Sequence, residues 1–386
     1  MKDIQITNSI KYVGVDDKTL DLFEGQYVIP NGVSYNSYVI LDEKITIMDT
    51  VDARATEEWL KNVEEVLEGK TPAYLVVSHM EPDHAANIKV LMDKYPAMQV
   101  VGNAKTFAMI PQFFDVDITD RAVTVKEGDT LSLGAHTLQF FMAPMVHWPE
   151  VMVAYEQSEK ILFSADGFGK FGALDADEAW TCEARRYYFN IVGKYGAQVQ
   201  ALLKKAATLD IQMICPLHGP ILKEDLGYYI GKYDIWSKYE AEDEGVFIAY
   251  ASIHGNTAKA AKKLAEILEE KGAKRVAIAD LSRDDMAEAV EDAFRHSKMV
   301  LAASTYDGGL FPPMEDFLHH LKAKGFQKRT VALMENGSWA PMAGKHMRAL
   351  LESMKNIEIC DTTVTIRSTV TEANLKTMEE LAEKLM

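Results

Sequence analysis

Residues 78–88 read SHMEPDHAANI, which puts His79, Glu81, Asp83 and His84 within six positions, directly after the apolar run AYLVV. Imidazole nitrogens and carboxylate oxygens are the donor set of first-row transition metals, and a strand exit lets such side chains converge from a fixed origin. One histidine alone usually proves to be a satisfied structural residue; four ligand types in six residues resist that explanation. Three later strand-like runs also end at a ligand type. TLQFFMAPMVHWPE leads to His147, KILFSADGFG to Asp166 and IQMICPLHGP to His218. His136 lies at the start of its own strand and reads as structural. Four histidines, one glutamate and two aspartates suit two metal ions sharing a carboxylate bridge at a separation of about 3.5–4 Å. On this evidence a dinuclear zinc hydrolase remains open, and zinc has no redox chemistry.

A second constellation lies in the C-terminal third. In YASIHGNTAKAAKKL (250–264), Ser252, His254, Gly255, Asn256 and Thr257 run from a strand into a helix, where hydroxyls, backbone N–H groups and the positive helix end can cradle a phosphate. The same residues also make an ordinary helix cap. No GxxxxGK[ST] sequence occurs, so a nucleoside triphosphate is not indicated. Two further loops, STYDGGLFPP and ENGSWAPMAG, carry Ser304, Thr305, Tyr306, Asp307, Gly308 and Gly309, then Asn336, Gly337, Ser338, Trp339 and Ala340. Glycine beside an aromatic ring allows close approach to, and stacking on, something flat.

The elements that must position these residues fall into two patterns. From about residue 245, VFIAYA, RVAIA, KMVLAA, TVALM and IEICDTTVTI alternate with amphipathic stretches such as TAKAAKKLAEILEEKG, which predicts a doubly wound parallel sheet over 245–386. Before it, paired short strands (SYVILD with KITIMD; HTLQFFMA, VMVAY and KILFS) and helices, including a long one from Glu178 to Leu209, predict face-to-face sheets over 1–244. The acidic stretch SKYEAEDEG (237–245) reads as the join.

Composition narrows the function. A chain of 386 residues exceeds one ordinary core. A net charge of −17 disfavours nucleic acid and anionic membranes. No apolar run approaches the roughly 20 residues of a span, and the N-terminus lacks a secretory core, so a cytoplasmic location is expected. Three scattered cysteines (Cys182, Cys215, Cys360) argue against disulfides, a zinc ribbon or a fused rubredoxin-type centre.

With HxExDH, HWP, the strand-end Asp166, PLHG and the SxHGNT loop in this order, together with GVSYNSYVILDEKITIMDTV (32–51), the chain closely resembles the flavodiiron proteins, or A-type flavoproteins, along essentially its whole length. The resemblance implies an α/β protein: an N-terminal metallo-β-lactamase-like αββα sandwich plus a C-terminal flavodoxin-like domain. It implies that His79, Glu81 and His147 bind one iron and Asp83, His84 and His218 the other, with Asp166 bridging, and that noncovalent FMN occupies the three C-terminal loops. Hydrolases of this fold usually show HxHxDH, and Glu81 makes the site harder and more anionic, favouring iron. The implied activity is reduction of O₂ to water, NO to N₂O, or both. A separate donor such as rubredoxin or a reductase, and a head-to-tail homodimer or dimer of dimers with Trp148 near the partner's flavin, are also implied. Asp307 and Ser304 depart from the family's frequent Asn and Pro, which bears on the flavin contacts. The rival readings are a dinuclear metal hydrolase with a fused regulatory flavodoxin domain and an electron carrier or gas sensor without turnover.

Overall fold

The computed structural model describes residues 4–386. The chain divides into two compact units, one comprising the described residues up to Tyr187 with Ala197–Asp234, the other Tyr188–Gly196 with Ile235–Met386.

The first unit is built on two mixed sheets. One orders its strands Ile10–Tyr12, Tyr38–Ile40, Thr46–Met48, Tyr74–Val76, Gln99–Gly102 and Ala122–Thr124; the other runs Thr130–Ser132, Thr137–Met142, Met152–Glu156, Ile161–Phe163 and Met213–Cys215. The predicted pairs form: Tyr38–Ile40 lies antiparallel to Thr46–Met48, and Thr137–Met142, Met152–Glu156 and Ile161–Phe163 make a meander. One buried cluster takes Tyr38, Ile40, Met48, Val76 and Val101 from the first sheet and Leu138, Phe140, Met152, Ala154 and Phe163 from the second, so the core lies between the sheets. Helix Thr56–Leu67 packs by burying Trp59, Val63 and Leu67 at four-residue spacing, one stripe of its surface.

The stretch from Glu178 to Leu209 is not one helix. It is helical over Trp180–Tyr187, widens over Tyr188–Val192, tightens over Gly193–Tyr195 and resumes as Gly196–Ala206. Tyr188–Val192 is buried at every position, which a single-faced helix cannot achieve, and Phe189 stacks on Phe294 with ring centroids 4.2 Å apart. The short segment 188–196 therefore joins the second unit, as do residues 235–244, and the division does not run simply at 244/245.

The second unit is a parallel sheet in the order Val276–Asp280, Asp243–Ala251, His296–Tyr306, Gln327–Asn336, Lys355–Ile366. Numbered along the chain this is 2-1-3-4-5, the flavodoxin-like winding. Residues Val246–Ala251 are all buried because helices cover both faces. Helix Asn256–Glu270 lays Ala260, Ala261, Leu264 and Leu268 on one of them. Among the described residues no helix is long and apolar enough to cross a membrane.

Candidate functional site

Strand exits of the first unit supply all seven metal-ligand candidates. His79 follows Tyr74–Val76, His147 lies between Thr137–Met142 and Met152–Glu156, Asp166 follows Ile161–Phe163, and His218 follows Met213–Cys215. The helical turn Pro82–Ala85 carries Asp83 and His84, with Pro82 at its first position, where no N–H is needed, and Glu81 at its N-cap.

These residues converge in two groups. In the first, His147 Nε2 lies 2.9 Å from Glu81 Oε2 and 3.2 Å from Asp166 Oδ2, while His79 Nε2 lies 3.2 and 3.4 Å from the same two oxygens. In the second, Asp83 Oδ2 is 3.3 Å from His84 Nε2 and 3.2 Å from His218 Nε2. Asp166 faces both, because its Oδ1 is 3.4 Å from His84 Nε2. One donor atom per residue lies within 4.8 Å of every other in each group.

The tautomers decide what such a pocket wants. His79 Nδ1 donates to the buried Glu150 carboxylate at 2.8 Å, and His218 Nδ1 donates to the Ser34 carbonyl at 2.7 Å. In their neutral forms both rings therefore turn an Nε2 lone pair inward. Both carboxylate oxygens of Asp83 and of Asp166 are buried without a hydrogen-bond donor. Lone pairs facing carboxylates at van der Waals distance are destabilising unless cations lie among them, and two metal ions fit this donor set.

Electrostatics agree. Burial disfavours charge on His147, yet Asp166 and Glu81 raise it to about 9. His79 is likewise raised against burial, by Asp166, Glu150 and Glu81. Burial would raise Asp166, but the imidazoles of His79, His147 and His84 hold it well below the carboxylate range. The pocket has a strong appetite for positive charge.

Sequence reasoning missed two carboxylates here. Glu150 is 1% exposed and accepts from both His79 and the Met80 N–H. Its signal was available: it closes HWPE, three residues after His147. Glu24, an exposed residue, stands at the tip of the hairpin Leu22–Phe23/Tyr27–Val28, where partial desolvation of its carboxyl and the Glu81 charge push it up to about 7. His136, read as structural, sits apart, bound through Nδ1 to Asp42 at 2.7 Å.

In the second unit the three glycine-containing loops leave the C-terminal ends of neighbouring strands, Asp243–Ala251, His296–Tyr306 and Gln327–Asn336. Gly255, at φ +89°, turns the chain into helix Asn256–Glu270, and its N–H donates to Ser252 Oγ at 3.1 Å. The first two loops meet where the Thr257 and Ser304 hydroxyls lie 2.9 Å apart. Asp307 and Gly308, both at positive φ, fold Tyr306 back against Gly309. Thr305 Oγ1 accepts from the Met342 and Ala343 N–H groups, tying the second loop to the third. The Asn336 amide is engaged with the Ser368 backbone and so shapes its loop from within. Trp339 is 90% exposed and Tyr306 45%, leaving both rings open for stacking. His254, Gly337, Ser338 and Ala340 complete the same edge of the sheet.

Residues 33–219 match the family described as ODP family beta lactamase, and residues 247–363 match a flavodoxin domain. An uncharacterized protein of Methanocaldococcus jannaschii is 31% identical over 99% of this chain and 98% of its own length. The anaerobic nitric oxide reductase flavorubredoxin of Vibrio vulnificus is 29% identical over 87% of this chain and 70% of its own. Among solved structures, the rubredoxin oxygen:oxidoreductase from Desulfovibrio gigas superposes with a TM-score of 0.91 at 26% identity, covering 99% of this chain and 97% of that one. The flavodiiron protein from Giardia intestinalis gives 0.89 at 25% identity, covering 100% and 97%.

Proposed function

Because the chain belongs to the flavodiiron family, we propose that it holds two iron ions and FMN and reduces dioxygen to water, nitric oxide to nitrous oxide, or both. The observation that carries this reading is the pocket of inward lone pairs and donor-free carboxylates, in which Asp166 presents Oδ2 to one group and Oδ1 to the other. Iron and FMN, when bound, supply the one-electron chemistry that neither these side chains nor zinc can perform.

Each side chain has a definite task. His79, Glu81 and His147 would hold one iron, and Asp83, His84 and His218 the other, with Asp166 facing both groups. Glu150 and the Ser34 carbonyl hold two of the imidazoles with Nε2 inward. Glu81 supplies an anionic oxygen, which steadies a ferric ion and favours iron over zinc. In the second domain Ser252, Thr257 and the first N–H groups of helix Asn256–Glu270 would receive the phosphate, and Tyr306 and Trp339 would offer rings to the flavin.

Dioxygen going to two waters consumes four electrons and four protons. Two nitric oxides going to nitrous oxide and one water consume two of each. The electrons come from a separate donor, rubredoxin or a reductase; the names of the Desulfovibrio and Vibrio relatives support that donor class and both gases. A diiron domain within 1–244, an FMN domain at 245–386 to which 188–196 and 235–244 add as part of the same compact unit, a cytoplasmic location and a head-to-tail homodimer or dimer of dimers, with Trp148 near the partner's flavin, complete the reading. The test is anaerobic reduction of iron-loaded, FMN-loaded protein by its donor, then parallel exposure to each gas. Consumption of at least one, in proportion to electrons supplied, is expected; consumption of neither sinks the proposal.

A further inference from the structure

Beside the strand-exit loops of the first unit lies a largely enclosed cavity of about 20 Å³, larger than the about 10–15 Å³ that one water-sized sphere needs. One wall is a face of helix Gly196–Ala206, where Val199, Leu202 and Ala206 recur at helical spacing. Opposite are Val146, immediately before His147, and Gly167 and Phe168, immediately after Asp166. The lining is apolar apart from Ser164, Tyr233 and Lys205, whose polar ends are engaged, the Lys205 ammonium donating to Glu127 Oε2 and the Met142 carbonyl at 2.8 Å each. The Ser164 hydroxyl donates to the Gly167 carbonyl at 2.6 Å, and the Tyr233 hydroxyl accepts from the Phe168 N–H at 2.7 Å. Water needs two to four polar partners to occupy such a space, so an apolar cavity of this kind stays dry and takes up apolar guests instead.

We propose that this cavity is a binding site for a small apolar diatomic gas, placed one residue along the chain from two of the metal-ligand candidates. Dioxygen and nitric oxide share the required chemistry: they fit a small void, and they give up little hydration on leaving water. The inference rests on the gas-reductase reading and adds to it a place where the substrate gathers before reaching the metals. A gathering site raises the efficiency of capture, kcat/KM, without altering turnover at saturating gas.

Xenon is the probe, because it binds dry apolar cavities and needs no reaction. Crystals of the full-length protein under xenon pressure should show xenon among Val146, Phe168, Val199 and Leu202. Ala206→Leu, which fills the void, should abolish that site and lower kcat/KM for the gas severalfold, with kcat, iron content and FMN content unchanged. Leu202→Ala, which enlarges it, should raise xenon occupancy and guards against a misfolded filling variant. Ordered water in place of xenon, or no xenon at all, overturns the proposal. So does an Ala206→Leu protein that excludes xenon yet keeps the wild-type kcat/KM. Xenon uptake is independent of turnover, so its failure is distinct from a failure of wild-type gas consumption, which would count against the reductase reading itself.

Discussion

Glu150 is not one of the seven ligand candidates, yet it holds His79. Its carboxylate fixes the imidazole tautomer and makes the ligand more basic. Removing such a partner typically costs about 10–100-fold in metal affinity. Glu150→Ala should therefore bind iron that much more weakly in a chelator competition, and Glu150→Gln, which still accepts from Nδ1, should recover part of the loss. Equal affinity in all three proteins would show that His79 is oriented by packing alone. A second residue-scale prediction concerns His136, held between Asp42 at 2.7 Å and Glu159 at 3.4 Å, with Ser9 Oγ 3.0 Å from its Nε2. Burial would raise Asp42, but the His136 backbone and ring N–H groups, with those of Glu43 and Ala135, hold it down to about 2. Its contribution to stability is complete above the unfolded value and is lost as pH falls through about 2. His136 is raised against burial by Asp42, Glu159 and Glu156; its contribution is complete below its unfolded value and is lost as pH rises through the folded one. Both are fully present between roughly pH 4 and 6.5. The melting temperature of wild type minus that of Asp42→Asn should peak there and shrink on either side; a difference independent of pH would mean the network acts only by packing.

At the scale of elements, site residues sit where the chain leaves a strand or enters a helix. Gly255 adopts φ +89° in open space, so a Cβ there meets no neighbour and strains only the backbone. Gly255→Ala should cost about 1–2 kcal/mol of local conformational energy and weaken FMN binding in a fluorescence titration, while iron content holds. Unchanged flavin affinity would place the phosphate elsewhere. Element logic also explains what the sequence revealed. His79, His147, Asp166 and His218 were legible because β-branched and aromatic runs mark strands plainly, and a ligand type a few residues past each run marks a strand exit, here of both sheets. Glu150 and Glu24 were not, because a carboxylate in sequence gives no sign of whether it lies in water, against an imidazole as Glu150 does, or beside another carboxyl as Glu24 does. The break at Tyr188–Val192 was hidden for a related reason: YFNIV between helical stretches continues a helix as readily as it interrupts one, and only its burial on every side separates the cases.

For the whole molecule, two units with separate cores imply two cofactor sites that can be lost one at a time. Asp166→Ala should lower iron content sharply in metal analysis while acid precipitation still releases yellow FMN; concurrent loss of both would mean that the units depend on each other to fold. The parallel winding of the second unit was legible from its strict strand–helix alternation. The division of the chain was less so, because the segment 188–196 leaves the first unit and returns, a path that composition does not record. The central claim is that gas is reduced at the metals and that the flavin only supplies electrons. Its most direct test is gas uptake by one preparation, reduced by its donor and carrying FMN throughout, reconstituted in parallel with iron and with zinc. The account predicts consumption of dioxygen, nitric oxide or both by the iron form and near-background uptake by the zinc form. Equal rates in the two forms would place the chemistry on the flavin and contradict it.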